Sequence, residues 1–463
     1  MAYEKTDELR NFDVFPKIFV VNKPSSITIR PLGGRPLFEC GKKYRVLICA
    51  LEQGNPHQFP STASFDEYTL VCNEEGGFNF SHTFPSEQMY FIRFLNDEGR
   101  KAVQFPVYAV NDDLAKRYPY IGDLHMHTNK SDGRELPEVV AANYRRYGYD
   151  FTVISDHRRY YPSLRAIDCY KDVPVSMNIV CGEEVHLPKI DGMENIHIVN
   201  FGGEYSVNAL FEGEQWKEVG DGKEYRSLNG NCPDTMTIEE YENKIRALAK
   251  EMNTPDDVES ITAAICKFAF DEIRKANGLA IFPHPNWIND VYHSPEAFTR
   301  YLTENKMFDA FEVLGGENYY EHNGFQTQKY YEDRAKGLNY PIVGSTDSHC
   351  SYPSNRNAYI CATMVFAPEN ERTSLISSIK DYYSVAIDTI SKEWRLVGDV
   401  RMTRYACFLL KEFFPLHDEL CFEEGRLMKQ YVTGTPQERQ EAANGLEFIK
   451  GRQERLLKKY FDF

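Results

Sequence analysis

The residues in this sequence that could do chemistry are histidines and acids that recur at the ends of short apolar runs. Asp123-Leu124-His125-Met126-His127-Thr128 leads into Ser131-Asp132-Gly133. Residues two apart in a strand face one side, so His125 and His127 can address a single ion. Ile154-Ser155-Asp156-His157 closes the apolar run that starts at Phe151. Cys181-Gly182-Glu183-Glu184 follows Ile179-Val180. Two adjacent carboxylates are costly to bury unless an ion or partner compensates, and only one of them can face a shared site if the strand continues. His197 sits mid-strand among Ile196, Ile198 and Val199, where a core histidine with a hydrogen-bond partner is an equal reading. Pro283 and Pro285 fix the backbone on both sides of His284. Thr346-Asp347-Ser348-His349 again sets two ligand-type side chains on one face. The chain has 12 histidines, and one alone would usually be structural, so it is the ordered series that carries weight. Imidazole and carboxylate in open coordination suit Zn, Mn or Fe.

The elements that must position these residues read as strands over 120–127, 151–157, 178–186, 195–202, 279–284, 308–315 and 341–349. Helical patterns over 135–147, 255–277 and 295–305 lie between several of them. Strand–helix alternation predicts an α/β architecture with a parallel sheet, and such folds build sites at the carboxyl ends of their strands. Residues 203–254 are polar and rich in Gly and Asn, and they read as an irregular insertion that would act as a lid. From residue 393 the pattern is mostly helical.

Ahead of this region, residues 16 to about 110 carry short alternating runs separated by Gly, Pro and Asn. The turn sequence Asn96-Asp97-Glu98-Gly99 joins two of them. Strands at this spacing predict a small β-sandwich. The composition shift at Asn111 gives three expected parts: 1–112 as a β-sandwich accessory domain, 113–392 as the α/β domain that carries the motif series, with its insertion at 203–254, and 393–463 as a helical C-terminal extension.

Composition narrows the function. The chain is 463 residues long, 42% hydrophobic and 26% charged, an ordinary globular balance. No apolar run reaches the roughly 18–20 residues of a membrane helix, and the first residues lack the pattern of a signal peptide. The 11 cysteines are scattered with no C-x-x-C pair, which counts against a disulfide framework and a cysteine-rich zinc site. A cytoplasmic protein without membrane partners is the expectation. A net charge of −16 counts against nucleic acid as a partner. Neither a G-x-S-x-G elbow nor a G-x-x-x-x-G-K-[ST] phosphate loop is present.

The motif series over residues 120 to about 390 resembles the PHP (polymerase and histidinol phosphatase) metallohydrolases. The resemblance implies a distorted (β/α)7 TIM-like barrel holding two or three divalent ions, and a phosphoesterase that uses a metal-activated hydroxide on a small phosphorylated substrate. It implies His125, His127, Glu184 and Asp347 at a first metal, Glu184, His197 and His284 at a second, and Asp132, His157 and His349 at a third. Glu184 would bridge two metals, with Glu183 as a neighbour, and Glu184 and Asp347 would be the catalytic acids. Arg158, Arg159 and Asn286 are candidates for substrate contact, and Trp287 and His293 for lining the pocket. His186, His322 and His417 read as structural or surface residues. Other functions compatible with these residues are hydrolysis of a non-phosphate ester or amide, a nuclease-like phosphodiesterase, and a metal-stabilised binding protein.

Overall fold

The computed structural model describes residues 11–33, 38–54, 63–211, 226–315, 320–352, 358–389 and 395–463. The chain divides into two compact units: Met1–Tyr118 with Arg404–Leu420 and Gly451–Phe463, and Pro119–Thr403 with Cys421–Lys450.

The first unit is built on two sheets. Phe12–Phe15, Pro24–Pro31 and Phe78–Thr83 form a three-stranded antiparallel sheet. Ile18–Val20, Lys101–Val110, Gln88–Leu95, Lys43–Gly54 and Ala63–Val71 form a five-stranded one in that order. Alternation in the sequence becomes alternation in burial: along Gln88–Leu95, Tyr90, Ile92 and Phe94 face inward. They share one hydrophobic core with Phe12, Ile27, Ile29 and Phe78 of the smaller sheet. Phe94 lies 4.7 Å from Phe78 and 4.9 Å from Phe38, ring centre to ring centre. His82 belongs to this core, 2.9 Å from the Tyr68 hydroxyl, while His57 lies outside the described residues.

The second unit is mixed α/β. Asn178–Val180, Phe151–Val153, Tyr118–Asp123, Cys361–Ala367, Ser384–Asp388 and Arg395–Val397 make a six-stranded sheet, and Gly182–Val185, Ile198–Phe201, Leu279–Phe282, Ala310–Leu314 and Ile342–Gly344 a five-stranded one. Strands at these positions follow from apolar runs, as in Leu279–Phe282, where every residue is buried. Two expectations need correction. The sheet is not one closed seven-fold barrel, because pairing is divided between these two sheets. It is not uniformly parallel either: Ile198–Phe201 runs antiparallel to both of its neighbours. Apolar runs without period leave strand direction open, so the sequence pattern could not reveal this.

Helices lie close to where the 3.6-residue pattern put them: Pro137–Arg146, Ser260–Lys275 and Glu296–Glu304. A further correction concerns 203–254. Residues 212–225 lie outside the described residues, but Ile238–Met252 is a regular helix, not irregular chain. Thr237 and Glu240 close its first turn as a capping box, and Asn253 ends it in the left-handed region. The helices from Val400 onward are shared between the two units, and Arg395–Val397 before them is a strand.

Candidate metal centre

Backbone pairing within the second unit gathers the motif residues. Met126 bridges Ser348 and His157 bridges Glu184. The His127 amide donates to the Ser348 carbonyl at 2.8 Å, and the Asp347 amide to the His125 carbonyl at 2.9 Å. His125 and His127 lie just beyond Tyr118–Asp123, yet both face the same site. Buried Asp123 braces this join, accepting from the Thr346 amide at 3.0 Å and the His125 amide at 3.2 Å.

His197 was expected mid-strand. It instead precedes Ile198–Phe201, and because that strand is antiparallel its beginning lies level with the carboxyl ends of its neighbours. This reversal brings His197 Nδ1 to 2.7 Å from Glu184 Oε1.

Glu184 and Asp347 are the acids at the centre. His125 Nε2 lies 3.3 Å from Glu184 Oε2 and 3.3 Å from Asp347 Oδ1. His127 Nε2 lies 2.9 Å from Asp347 Oδ1 and 3.3 Å from Glu184 Oε2. The two Nε2 atoms are themselves 3.3 Å apart. His157 Nδ1 is 2.8 Å from Glu184 Oε2, and His284 Nε2 is 3.7 Å from Asp347 Oδ2. His284 and Asp347 both hold left-handed backbone, with φ of 23° and 46°, a strain that surrounding structure must impose.

Asp132 is positioned by its loop. Asp156 accepts from the Thr128 amide at 2.8 Å and the Ser131 hydroxyl at 2.6 Å, which folds the loop back. Only glycine fits at 133, where a Cβ would come within 2.7 Å of the His127 carbonyl. Asp132 Oδ2 then lies 3.2 Å from His349 Nε2 and 3.5 Å from His157 Nε2, with Oδ1 3.8 Å from His127 Nδ1.

Among the described residues, the groups here whose ligand atoms lie within 4.8 Å of one another, and which could each hold an ion, include His127, Asp132, His157 and His349; His125, His127 and Glu184; His125, His284 and Asp347; and His157, Glu184 and His186. His284 therefore groups with His125 and Asp347, while His197 meets Glu184.

Charge and solvation agree with a cation site. Burial opposes ionisation of Glu184, but His197, His157 and His125 outweigh it and hold its carboxyl well below the usual range. For His284, burial dominates and pushes the imidazole well below its usual range, favouring the neutral form that can bind metal. His127 Nδ1, Glu184 Oε1 and both ring nitrogens of His284 are buried without a hydrogen bond. His197 is close to Glu184 Oε1 but not aligned to donate to it. Buried polar atoms without partners are uncommon, and a ligand satisfies them.

The adjacent acids separate as one face against the other. Glu183 is fully buried away from the cluster, accepting from the Ser206 hydroxyl at 2.7 Å, the Val207 amide at 2.5 Å and the Asn208 amide group at 2.8 Å.

Arg158 is exposed at φ 60°, its amide donating to the Glu184 carbonyl at 2.9 Å, and its charge acts on His186. Arg159 and Asn286 are half-buried, and no described contact brings either side chain to the cluster. His186, read as structural or surface, stands 2.9 Å from His157 Nδ1. His293 accepts from the His197 amide at 2.8 Å. Sequence reasoning passed over Glu312, which lies fully buried with Oε2 3.3 Å from His125 Nδ1. Its signal was a lone acid inside the apolar stretch Ala310–Leu314. Likewise, His186 lies two residues after Glu184, the spacing already applied to His125 and His127.

No family profile and no curated protein matches this chain. Solved structures similar to it include a two-domain protein from Bacteroides vulgatus containing a predicted PHP-like metal-dependent phosphoesterase, with 16% identity, 64% of this chain and 71% of that one covered, and a TM-score of 0.40. A candidate metal-dependent phosphoesterase from Bifidobacterium adolescentis matches at 15% identity over 49% and 87% of the two chains, TM-score 0.31. An amidohydrolase from Chromobacterium violaceum with bound sulfate and no metal matches at 16% over 51% and 90%, TM-score 0.30. Each score lies below 0.5, and none of these likenesses assigns the chain to a family. No described helix is long and apolar enough to cross a membrane.

Proposed function

We propose that this chain is a metal-dependent hydrolase, acting as a phosphoesterase on a small phosphorylated substrate. The observation that carries the metal reading is the convergence of buried imidazole and carboxylate atoms that lack hydrogen-bond partners, above all Glu184 Oε1 and both nitrogens of His284. The residues would hold divalent ions: His125, His127, Glu184 and Asp347 around one, with His284 beside His125 and Asp347, Glu184 and His197 on the side of a second, and Asp132, His157 and His349, with His127 beside them, around a third. When bound, such ions lower the pKa of a water and neutralise phosphoryl oxygens. The catalytic residues would all lie in the second unit, with residues 1–112 as an accessory domain and 393–463 as an extension.

The protein's own groups divide the work. Glu184, with 0% side-chain exposure, holds charge and position. Asp347 is 18% exposed, so of these two acids its carboxylate is the one that faces an approaching water. Arg158 at the rim would hold a phosphoryl oxygen, the role for which its fixed donor fork is suited. Phosphoryl transfer asks mainly for such positioning and charge stabilisation.

The test is hydrolysis by metal-reconstituted protein across phosphorylated metabolites, phosphodiesters, carboxylic esters and amides. Turnover of a small phosphomonoester or phosphodiester is expected. Cleavage of amides or carboxylic esters alone would overturn the substrate class and leave the metal site intact.

A further inference from the structure

Glu312 has no part in the ligand set above, yet the fold goes to some length to place it. It sits in the middle of Ala310–Leu314, a strand whose other residues are apolar and buried. Its side chain has 0% exposure, and among the described residues no lysine or arginine pairs with it. An ionisable group is kept in such a place only with compensating bonds. Two are present. Oε1 accepts from the His284 amide at 3.3 Å, and Oε2 lies 3.3 Å from His125 Nδ1. Room for the carboxylate comes from Gly315, where a Cβ would stand 2.5 Å from Glu312 Oε1.

The consequence concerns which nitrogen of His125 carries the proton. Nε2 of that ring faces Glu184 Oε2, Asp347 Oδ1 and His127 Nε2, all at 3.3 Å. That is the side on which a cation would sit. The ring has one other nitrogen, and its neighbour is Glu312. A carboxylate at Nδ1 keeps the proton there, leaves the Nε2 lone pair free for the ion and fixes the plane of the ring. The same side chain, through the His284 amide, also braces the strained backbone at φ 23° that presents the next histidine.

We propose that Glu312 is a positioning residue for the metal centre: it fixes the tautomer and orientation of His125 and the backbone of His284, and binds no ion itself. The inference rests on the metal-centre reading, so its test has one arm that needs no metal. In metal-free protein, at a pH high enough to leave the ring neutral, nitrogen-detected NMR of the histidine rings should show His125 protonated at Nδ1 alone. In Glu312→Leu the neutral ring should be a mixture of tautomers. In the second arm, Co2+ or Mn2+ titration should show affinity lowered by roughly 10–100-fold in Glu312→Leu. Glu312→Gln keeps an acceptor for one of the two contacts and should lose only a few-fold. If the Leu variant does not fold, the Gln variant in both arms decides.

Unchanged tautomer and unchanged affinity in the variants would overturn the proposal. Equal, large affinity losses for Gln and Leu would overturn it as well, because dependence on the negative charge would make Glu312 a direct ligand. Wild-type protein that takes up no metal at all would defeat the metal-centre reading instead, and the tautomer arm would still decide the role of Glu312.

Discussion

Both units bury carboxylates, and the buried carboxylates fall into two opposite kinds. In the first, Asp13 is nearly inaccessible and ringed by donors: the Tyr460 hydroxyl at 2.7 Å, the Arg30 guanidinium at 2.9 Å and the Lys459 ammonium. Glu183, in the second, is likewise saturated by hydroxyl and amide donors. One residue further on, Glu184 is surrounded by imidazoles and leaves Oε1 without a hydrogen bond. Saturated acids are framework, since every lone pair is already used. Unsaturated acids packed against histidines are an incomplete coordination shell. Burial alone does not separate the two cases, because Glu183 and Glu184 are both fully buried. The identity of the donors does.

The sharpest way to break this contrast is to alter the two adjacent acids in parallel. Glu184→Gln preserves size but removes charge beside His125, His127, His157 and His197. It should lower kcat on a phosphate ester by about two orders of magnitude or more, a loss of roughly 3 kcal/mol in transition-state stabilisation, and weaken metal uptake. Glu183→Leu should leave metal affinity within a few-fold of wild type. It strands the donors of Ser206, Val207 and Asn208, so it should cost roughly 3 kcal/mol of stability. Isothermal titration and urea unfolding on both variants make the comparison. A Glu184 variant with normal metal binding and near-full activity would erase the distinction.

Metal removal is the next largest effect. The second unit should hold more than one equivalent of Zn, Mn or Fe when the protein is prepared without chelator, as read by elemental analysis. Its ligand groups are too many for one ion of ordinary coordination number. Ions that bind only the folded state add about 2.7 kcal/mol at one hundred times Kd, so chelation should lower the Tm. At most one metal per chain after reconstitution, or a Tm indifferent to chelator, would count against a cluster.

How much of this was legible follows the same division. Strand-end histidines stood out because the residue type is rare and the motifs recur, and every ligand named from the sequence lies in or beside the gathered cluster. What stayed hidden depends on direction and partners. The reversal of Ile198–Phe201, which delivers His197, leaves no trace in an apolar run. Glu312 looked like one acid among many, and its meaning comes from the His125 nitrogen above it. The helix Ile238–Met252 was obscured by its charged residues, although Thr237 and Glu240 spell a capping box at its start.

The smallest expected effect tests the saturated side of the comparison, at Asp13. Burial there favours the neutral acid, but hydrogen bonds from Lys459 and Tyr460 and the charges of Lys459 and Arg30 outweigh it, and its pKa falls below the ordinary value. A carboxyl whose folded pKa is depressed contributes stability above its unfolded pKa of about 3.9, and that contribution is lost as pH falls through the folded value. Asp13→Asn removes the titrating group and leaves the rest of the contact in place. Its urea midpoint should therefore lie below that of wild type by a constant amount from about pH 7 to pH 5, and the gap should shrink below about pH 4. Metal content should not change, since no atom of Asp13 belongs to the ligand groups. A gap that persisted unchanged into acid would mean that the Lys459 and Arg30 charges do not act on Asp13 as the geometry implies, and a loss of bound metal in this variant would dissolve the contrast between framework acids and ligand acids.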